Sequence, residues 1–494
     1  MSKKVVIIGG GIAGLSAGIY ARLNGFTTEI LEMHSVTGGQ CTAWERKGYR
    51  FDYCLRWLVG TRTGPFHEIW RETNAINDQV RIVNPEIHTK MFSEDGDEFN
   101  LLTDLKKWEE YLLQIAPEDE KSIRKMCNDM RKSSHICPFT DAPKLRKLKD
   151  NIKQLFRNLP IIILYMRFGR KTCKEYFEKL NFKNPKLKYF FYNLYATRDY
   201  SALAFIMMLA WFNQKNAGYV IGGSLPLARR MTEKFLELGG IVSLKRKVDE
   251  ITVEDKTVTG VKLSDGSEIK ADYVISAADG HSTIFEMLGG KFLSAEITHA
   301  YETWDVFNPI VQVSFGIKKV MNSDFSVQTW LAKSIKIGMT KLEHGYSIMN
   351  YCFDPTMAPE GKTVIVLRFV SPWELWEKLE GTLYSKEKRQ IEKEAGLILE
   401  RHFPGVTENI EVVDVATPKT GARHTGVWKG AYEGFLPSSK NLNANLKPTL
   451  PGLKRFYMAG QWLFPGGGLP PSGQSGKWAI QMICKKEKLK FLTC

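Results

Sequence analysis

Glycines 9, 11 and 14 in the stretch "VVIIGGGIAGLSAG", together with the acid at position 32, have the types and spacing to hold the phosphates and ribose of a dinucleotide. Gly9 permits a tight bend, Gly11 lets the backbone approach a pyrophosphate, and Gly14 allows close packing of a helix on a strand. Amides at the start of that helix, from Ile12 and Ala13 onward, face the anion. Glu32 lies 18 positions after Gly14, where a carboxylate accepts both hydroxyls of an adenosine ribose and disfavours a 2′-phosphate.

These groups need elements to position them. The apolar run Lys4 to Ile8 reads as a buried parallel strand, Ala13 to Leu23 as a helix, and Thr27 to Leu31 as a second strand that ends on Glu32. Strand, turn, helix, strand and acid in register argue against an ordinary glycine-rich turn, yet they do not separate a nicotinamide from a flavin cofactor. The next segment does. "TGGQCTAWERKGYRFDYC" places Gly38, Gly39 and Gln40 shortly after Glu32, and its Gly48 to Asp52 stretch resembles the GYxFD segment of flavin oxidoreductases.

Two later regions return to the same theme. Leu225 to Leu238 reads as a helix capped by Ser224 and ended by Gly239 and Gly240, followed by a strand from Ile241 to Leu244. A hairpin of Val248 to Val253 with Thr257 to Leu263 and a buried strand, Ala271 to Ser276, come next. Near the C-terminus, "RFYMAGQWLFPGGGLPPSGQSG" reads as a strand from Phe456 to Met458, a glycine loop and a helix beginning near Ser472.

The whole chain resembles the phytoene desaturase, carotenoid isomerase and retinol saturase family of FAD-dependent oxidoreductases. The pieces that carry the resemblance are "GGGIAGLSAG", "TGGQ", "GYRFD", "GYVIGGSLPLARRM", "ADYVISAAD", "ATPKTGARHTGVWKGAYEGF" and "AGQWLFPGGGLPPSGQSG", which span residues 9 to 476. It implies an α/β fold: a Rossmann-like FAD-binding domain of the glutathione-reductase type, with an inserted α+β substrate domain and a helical membrane-associated region. The implied divisions are 1–75, 218–290 and 416–494 for the cofactor domain, 76–217 for a substrate and membrane-associated region, and 291–415 for the rest of the substrate domain. It further implies that Val248 meets adenine through its backbone, and that Gly460, Gln461, Gly468 and Leu469 lie near the ribityl chain and the flavin O2. Two positions depart from related patterns. Gln461 stands where amine oxidases often carry an acid, and Trp428 stands where many relatives are smaller.

FAD carries the hydride or electron step, so the protein need only position a C–H or C=C unit and exclude water. Desaturation, saturation and isomerisation of an apolar polyene or long-chain lipid all use the same flavin geometry. A flavin amine oxidase of the same fold and a non-catalytic lipid-binding flavoprotein are the alternatives. Arg56 and His424 are possible proton donors, although an arginine stays protonated at accessible pH and a carboxylate or phosphate partner is the simpler reading of Arg56. No catalytic residue is assigned beyond the cofactor shell.

Composition sets bounds on the rest. The chain has 494 residues, 43% hydrophobic and 25% charged, enough for two globular domains. Its eight cysteines form no Cys-x-x-Cys pair, so neither a zinc site nor a disulfide framework is expected, and a reducing cytoplasm fits best. The apolar run after Lys3 and Lys4 stops in glycines and reads as a strand rather than a signal peptide. The ten-residue run Leu203 to Phe212 is too short to span a membrane and reads as a core helix or a pocket wall.

Charge is uneven. Of a net +15, the window from Lys144 to Lys174 holds ten basic residues against one acid. Leu145, Leu148, Ile152, Leu155, Phe156 and Leu159 fall on an arc of roughly 100° of a helix, with Arg146, Lys147, Lys149, Lys153 and Arg157 around the remainder. This pattern suits a helix lying on an anionic membrane surface; a solvated or core-packed helix is the alternative. Nucleic acid is not expected as a partner, for no recognised motif accompanies the charge. The oligomeric state is not legible.

Overall fold

The computed structural model describes residues 2–133, 141–142, 145, 159–194, 199–323, 327–332, 335–438, 440–441 and 444–493. Its first layer is a five-stranded parallel sheet in the order 241–244, 27–32, 4–8, 273–276 and 456–458. The central strand, Lys4–Ile8, is buried from Val5 onward, as its unbroken apolar run dictates for a sheet covered on both faces. Three helices pack nearby: Ile12–Leu23, Ser224–Glu237 and the C-terminal Leu469–Lys486. The crossing of the first and last is close because a methyl at Gly476 would lie 2.4 Å from the Ala13 carbonyl oxygen.

The second layer is a seven-stranded sheet in the order 410–416, 310–317, 363–370, 346–350, 327–330, 87–92 and 98–102. All its pairings are antiparallel except that of 87–92 with 327–330. Alternation gives the sheet two different faces. Val311, Val313, Phe315, Ile317, Ile365 and Leu367 pack against Ile391, Ala395 and Leu399 of the helix Gly381–His402. Gln312, Ser314 and Arg368 therefore point the other way, and Gln312 and Arg368 donate to the carbonyl of Asp52 at the end of the strand Tyr49–Asp52.

A helical cluster closes the third side. Its core of Trp108, Phe177, Phe190, Phe191 and Phe205 joins the helices Leu105–Ile115, Cys173–Leu180, Pro185–Asn193 and Ala202–Asn213. The run Leu203 to Phe212 is thus a core helix, and its remaining side also walls a cavity.

Several boundaries differ from the sequence reading. Ser224 is the first helical residue rather than a side-chain cap: Gly223 precedes the helix, and the Ser224 hydroxyl donates to Asp52 Oδ1 at 2.7 Å instead of reaching its own helix. The C-terminal helix starts at Leu469, three residues before Ser472, because proline is well tolerated in a first turn. The buried strand expected from Ala271 begins at Tyr273. Most of the basic segment from Leu145 to Leu159 lies outside the described residues; Leu145 itself packs against the core beside the parallel sheet.

Candidate functional site

The first turn is built from glycines with different duties. Gly9 has φ +93°, and a methyl on Gly14 would lie 2.0 Å from the Gly9 carbonyl oxygen, so these two residues close the bend on itself. Gly11 has an ordinary φ of −70°. A methyl there would meet nothing nearer than 3.9 Å, so Gly11 keeps space open above the helix N-terminus rather than serving the turn. Beside it, Gly38 donates its N–H to the Gly10 carbonyl at 2.9 Å, and a methyl on Gly39 would sit 3.2 Å from the Gly11 Cα.

Glu32 is 6% exposed at the end of its strand. Its Oε2 accepts from the Gly10 N–H at 2.7 Å and its Oε1 from the His34 N–H at 2.8 Å, which hold the carboxylate in place while each oxygen keeps further acceptor capacity. Gln40 donates to the Ala431 carbonyl at 3.3 Å, tying this turn to the C-terminal third of the chain.

From that third come Gly460, Gln461, Gly468 and Leu469. Gly460 donates its N–H to Ser475 Oγ at 2.8 Å, and a methyl on it would have only the Ala13 side chain near, at 4.0 Å. Pro470 and Pro471 have no N–H, so the backbone donors entering this helix are those of Gly468 and Leu469. Gly9, Gly11, Ile12, Ala13, Glu32, Gly38, Gly39, Gln40, Val248, Gly460, Gln461, Gly468 and Leu469 all line one cavity of about 1650 Å³. Gly14 does not line it; it is internal to the turn.

Gly467 differs from its neighbour. With φ +24°, its missing methyl would fall 1.9 Å from the Glu433 carbonyl oxygen, whereas one on Gly468 would be 3.9 Å from Glu433 Oε1. The Gly467→Leu variant should therefore fail by displacing the 432–434 segment, not by projecting into the cavity. We expect the unfolding temperature of the holoprotein to fall by about 5 °C or more. An unchanged melting temperature, read by circular dichroism, would contradict this packing.

Away from the cradle the cavity opens between the seven-stranded sheet and the helix Ala202–Asn213, with walls that include Trp57, Leu58, Phe66, Met207, Met208 and Trp211. Polar groups enter this chamber among the apolar ones, including His88, Thr329, Ser347 and Arg368. Arg56 does too, and it lacks the expected acidic partner: no carboxylate pairs with it among the described residues, and its buried Nε has no hydrogen-bond partner. Burial and the nearby Arg368 pull its pKa down to about 9. His88, kept neutral by burial and by Arg56, is pulled down to about 4. Glu433 also lines the cavity, and burial pushes its carboxyl up to about 7.

His424 is not in the chamber's apolar part. Its Nδ1 lies 3.0 Å from His34 Nε2, on the side of Glu32 and away from the helix Ala202–Asn213. Trp428, unlike His424, does not line the cavity; it stacks on His281 with ring centres 4.7 Å apart, so it leaves the chamber's shape to others. Sequence reasoning missed Glu433, His88 and Arg368. Glu433 stands within "GAYEGF", where glycines on both sides marked a loop but not a buried carboxyl, and the other two lie on strands whose facing is set only by the sheet.

Comparisons with known proteins fit this geometry. The family model described as "Flavin containing amine oxidoreductase" matches residues 12–479. The chain is 23% identical over 490 residues to prolycopene isomerase 2, chloroplastic, of an Oncidium hybrid cultivar, covering 95% of this chain and 82% of that protein. It is 23% identical over 501 residues to the neurosporene-forming phytoene desaturase of Cereibacter sphaeroides, covering 95% and 92%. Among solved structures, cyclohexylamine oxidase from Brevibacterium oxydans superposes with a TM-score of 0.60 at 12% identity, over 99% of this chain and all of that one.

Proposed function

This chain belongs to the flavin containing amine oxidoreductase family, and from that membership we propose that it is an FAD-dependent oxidoreductase that desaturates, saturates or isomerises C–C and C=C bonds of an apolar polyene or long-chain lipid. The observation that carries the reading is the continuity of the cavity, from a glycine cradle to a chamber walled by Trp57, Leu58, Met207, Met208 and Trp211. The relatives named as acting on carotenoids support the substrate class.

The cradle fits FAD. Gly11, Gly460 and Gly468 each leave the volume that a side chain would fill, and Glu32 is held with spare acceptor capacity toward a ribose. In this reading Ile12 and Ala13 direct helix amides at the pyrophosphate, Gly38, Gly39 and Gln40 close over it, Val248 borders the adenine, and Gly460, Gln461, Gly468 and Leu469 border the ribityl and pyrimidine end. Gly14 serves by shaping the turn. Once bound, FAD supplies the hydride or electron step. The protein's own work is to seat an apolar chain, exclude water and exchange a proton, for which Glu433 is the group closest to neutrality.

An amine substrate suits the chamber less well. Arg56 and Arg368 would repel a protonated amine, and Asp52, which lies near Arg368, spends its carboxylate on Ser224, Cys54 and Leu55. The deciding experiment is to incubate the FAD-loaded protein anaerobically, once with oxidised flavin and once with dithionite-reduced flavin, with a carotenoid in detergent and to analyse the product by mass and geometry. We expect a change of two hydrogens or a cis–trans shift. Unchanged carotenoid, together with amine turnover and peroxide release in a parallel assay in air, would establish the amine oxidase reading instead.

The division into a discontinuous cofactor domain (1–75, 218–290, 416–494) and an inserted substrate domain (76–217, 291–415) draws support from the two large sheets: every strand of the five-stranded parallel sheet comes from the first set, and every strand of the seven-stranded sheet comes from the second, apart from the final residue at Ala416. Peripheral membrane attachment is part of the same proposal. No helix among the described residues is long and apolar enough to cross a membrane. The helix Leu159–Phe168 nevertheless exposes Leu159, Ile163 and Met166, spaced to form one stripe, with Met166 at 76% exposure. The double variant Ile163→Ser, Met166→Ser should pellet several-fold less with anionic liposomes while keeping its flavin. Equal pelleting would mean that this stripe meets no bilayer.

A further inference from the structure

The chamber contains a polar stripe that the glycine cradle does not use. Across adjacent strands Thr329 pairs with Ser347, Ser347 with Arg368, and Arg368 with Gln312, so these side chains stand in a row on the sheet face opposite the helix Gly381–His402. Thr329, Ser347 and Arg368 line the cavity. Arg56 enters from the segment after the strand Tyr49–Asp52, with its Nη2 3.5 Å from Ser347 Oγ.

The charge in this region does not balance locally. Arg368 is held by neutral groups: its Nε donates to Gln312 Oε1 at 2.8 Å, and its Nη2 to the Asp52 and Tyr53 carbonyls at 3.0 and 2.8 Å. The Asp52 carboxylate accepts from the Ser224 N–H and hydroxyl and from the Cys54 and Leu55 N–H groups. His88 is neutral, with Nδ1 2.7 Å from Thr89 Oγ1, and the phenols of Tyr351 and Tyr432 are held in their neutral forms by burial. Arg56 thus presents a guanidinium to the cavity, with a second guanidinium nearby and no acid paired to it among the described residues. A buried cation is retained at a cost unless something of opposite charge meets it, and a planar fork of donors matches a carboxylate.

We propose that Arg56, flanked by Ser347 and Arg368, is a subsite for a carboxylate, so that the substrate is an acid-terminated polyene or unsaturated chain rather than a pure hydrocarbon. The inference rests on the apolar-substrate reading above and narrows it. The acid end is held at the polar stripe, and the chain runs along Met207, Met208 and Trp211 toward the cradle.

Fluorescence titration of the FAD-loaded protein with cis-parinaric acid, a polyene acid, and with its methyl ester provides the test. The wild type should bind the acid about 10- to 100-fold more tightly than the ester, the range expected for a charge-assisted hydrogen-bonded pair. Arg56→Met should erase that difference by weakening only the acid, Arg56→Lys should restore part of it, and flavin content should stay constant in both. The comparison of acid with ester in the wild type needs no variant to fold. Equal binding of the two ligands would overturn the carboxylate subsite and leave the apolar chamber standing. Loss of flavin in Arg56→Met would assign the arginine to the cofactor and overturn the proposal. Failure of both ligands to bind would reject the apolar-substrate reading and the subsite with it.

Discussion

Glu32→Arg should abolish retention of FAD. The variant removes the carboxylate that would accept the ribose hydroxyls and sets a cation where no phosphate lies to receive it. Each lost charge-assisted hydrogen bond contributes about 1.5–3 kcal/mol, so two of them weaken binding by about 100-fold or more. The same carboxylate also accepts the Gly10 and His34 N–H groups, so the turn itself loses two anchors. Glu32→Gln separates these effects: its amide oxygen can keep one of the backbone bonds and its NH2 can still meet a hydroxyl. The expected order of flavin content after gel filtration is wild type, then Glu32→Gln, then Glu32→Arg, with all three proteins showing the same far-ultraviolet dichroism. A yellow Glu32→Arg protein at wild-type stoichiometry would refute the assignment.

The cradle was legible because its chemistry is local. A glycine turn, the strand before it and the helix after it lie within a few residues of each other, and each needs residue types that few other structures need. Lys4–Ile8, Thr27–Glu32 and Tyr273–Ser276 were legible as neighbouring strands because each carries a buried apolar run. Gly467 marks the limit of such reasoning. It stands in the same glycine loop as Gly468, yet its missing methyl abuts the backbone of Glu433, a residue whose position depends on tertiary packing.

The chamber was less legible for a related reason. Whether Arg368 faces the helix Gly381–His402 or the cavity depends on which face of the seven-stranded sheet is covered, and that is decided by elements far apart in the chain. Arg56 stands out in the sequence but reads as the partner of a carboxylate or phosphate, because an arginine stays protonated at accessible pH. Ser224 was read as a helix cap from its type and position, whereas the stronger acceptor, Asp52, reaches it from 172 residues away. In each case local pattern named the residue, and a distant partner decided its role.

Glu433→Gln should reveal the direction of the chemistry. The Glu433 carboxyl faces the cavity beside the Gly466–Gly468 loop, and burial raises it from an ordinary 4.5 to about 7. A carboxyl there is partly protonated near neutral pH and can either donate or accept a proton. If the reaction is saturation or isomerisation, Glu433 acts as the acid and kcat/KM declines as pH rises through about 7. If it is desaturation, the carboxylate acts as the base and kcat/KM climbs over the same interval. The glutamine variant should lose that limb and about 10²- to 10⁴-fold in rate. Stability supplies an independent readout. Because the folded-state pKa is raised, the stabilising contribution of this group is fully present below the unfolded pKa of about 4.5 and is lost as pH rises through about 7, an effect of about 3 kcal/mol. Glu433→Gln should therefore gain melting temperature relative to wild type at pH 9 but not at pH 4. A variant that keeps both the wild-type rate and the limb near pH 7 would remove Glu433 from the proton transfer, and a melting-temperature difference independent of pH would mean that its carboxyl is not raised.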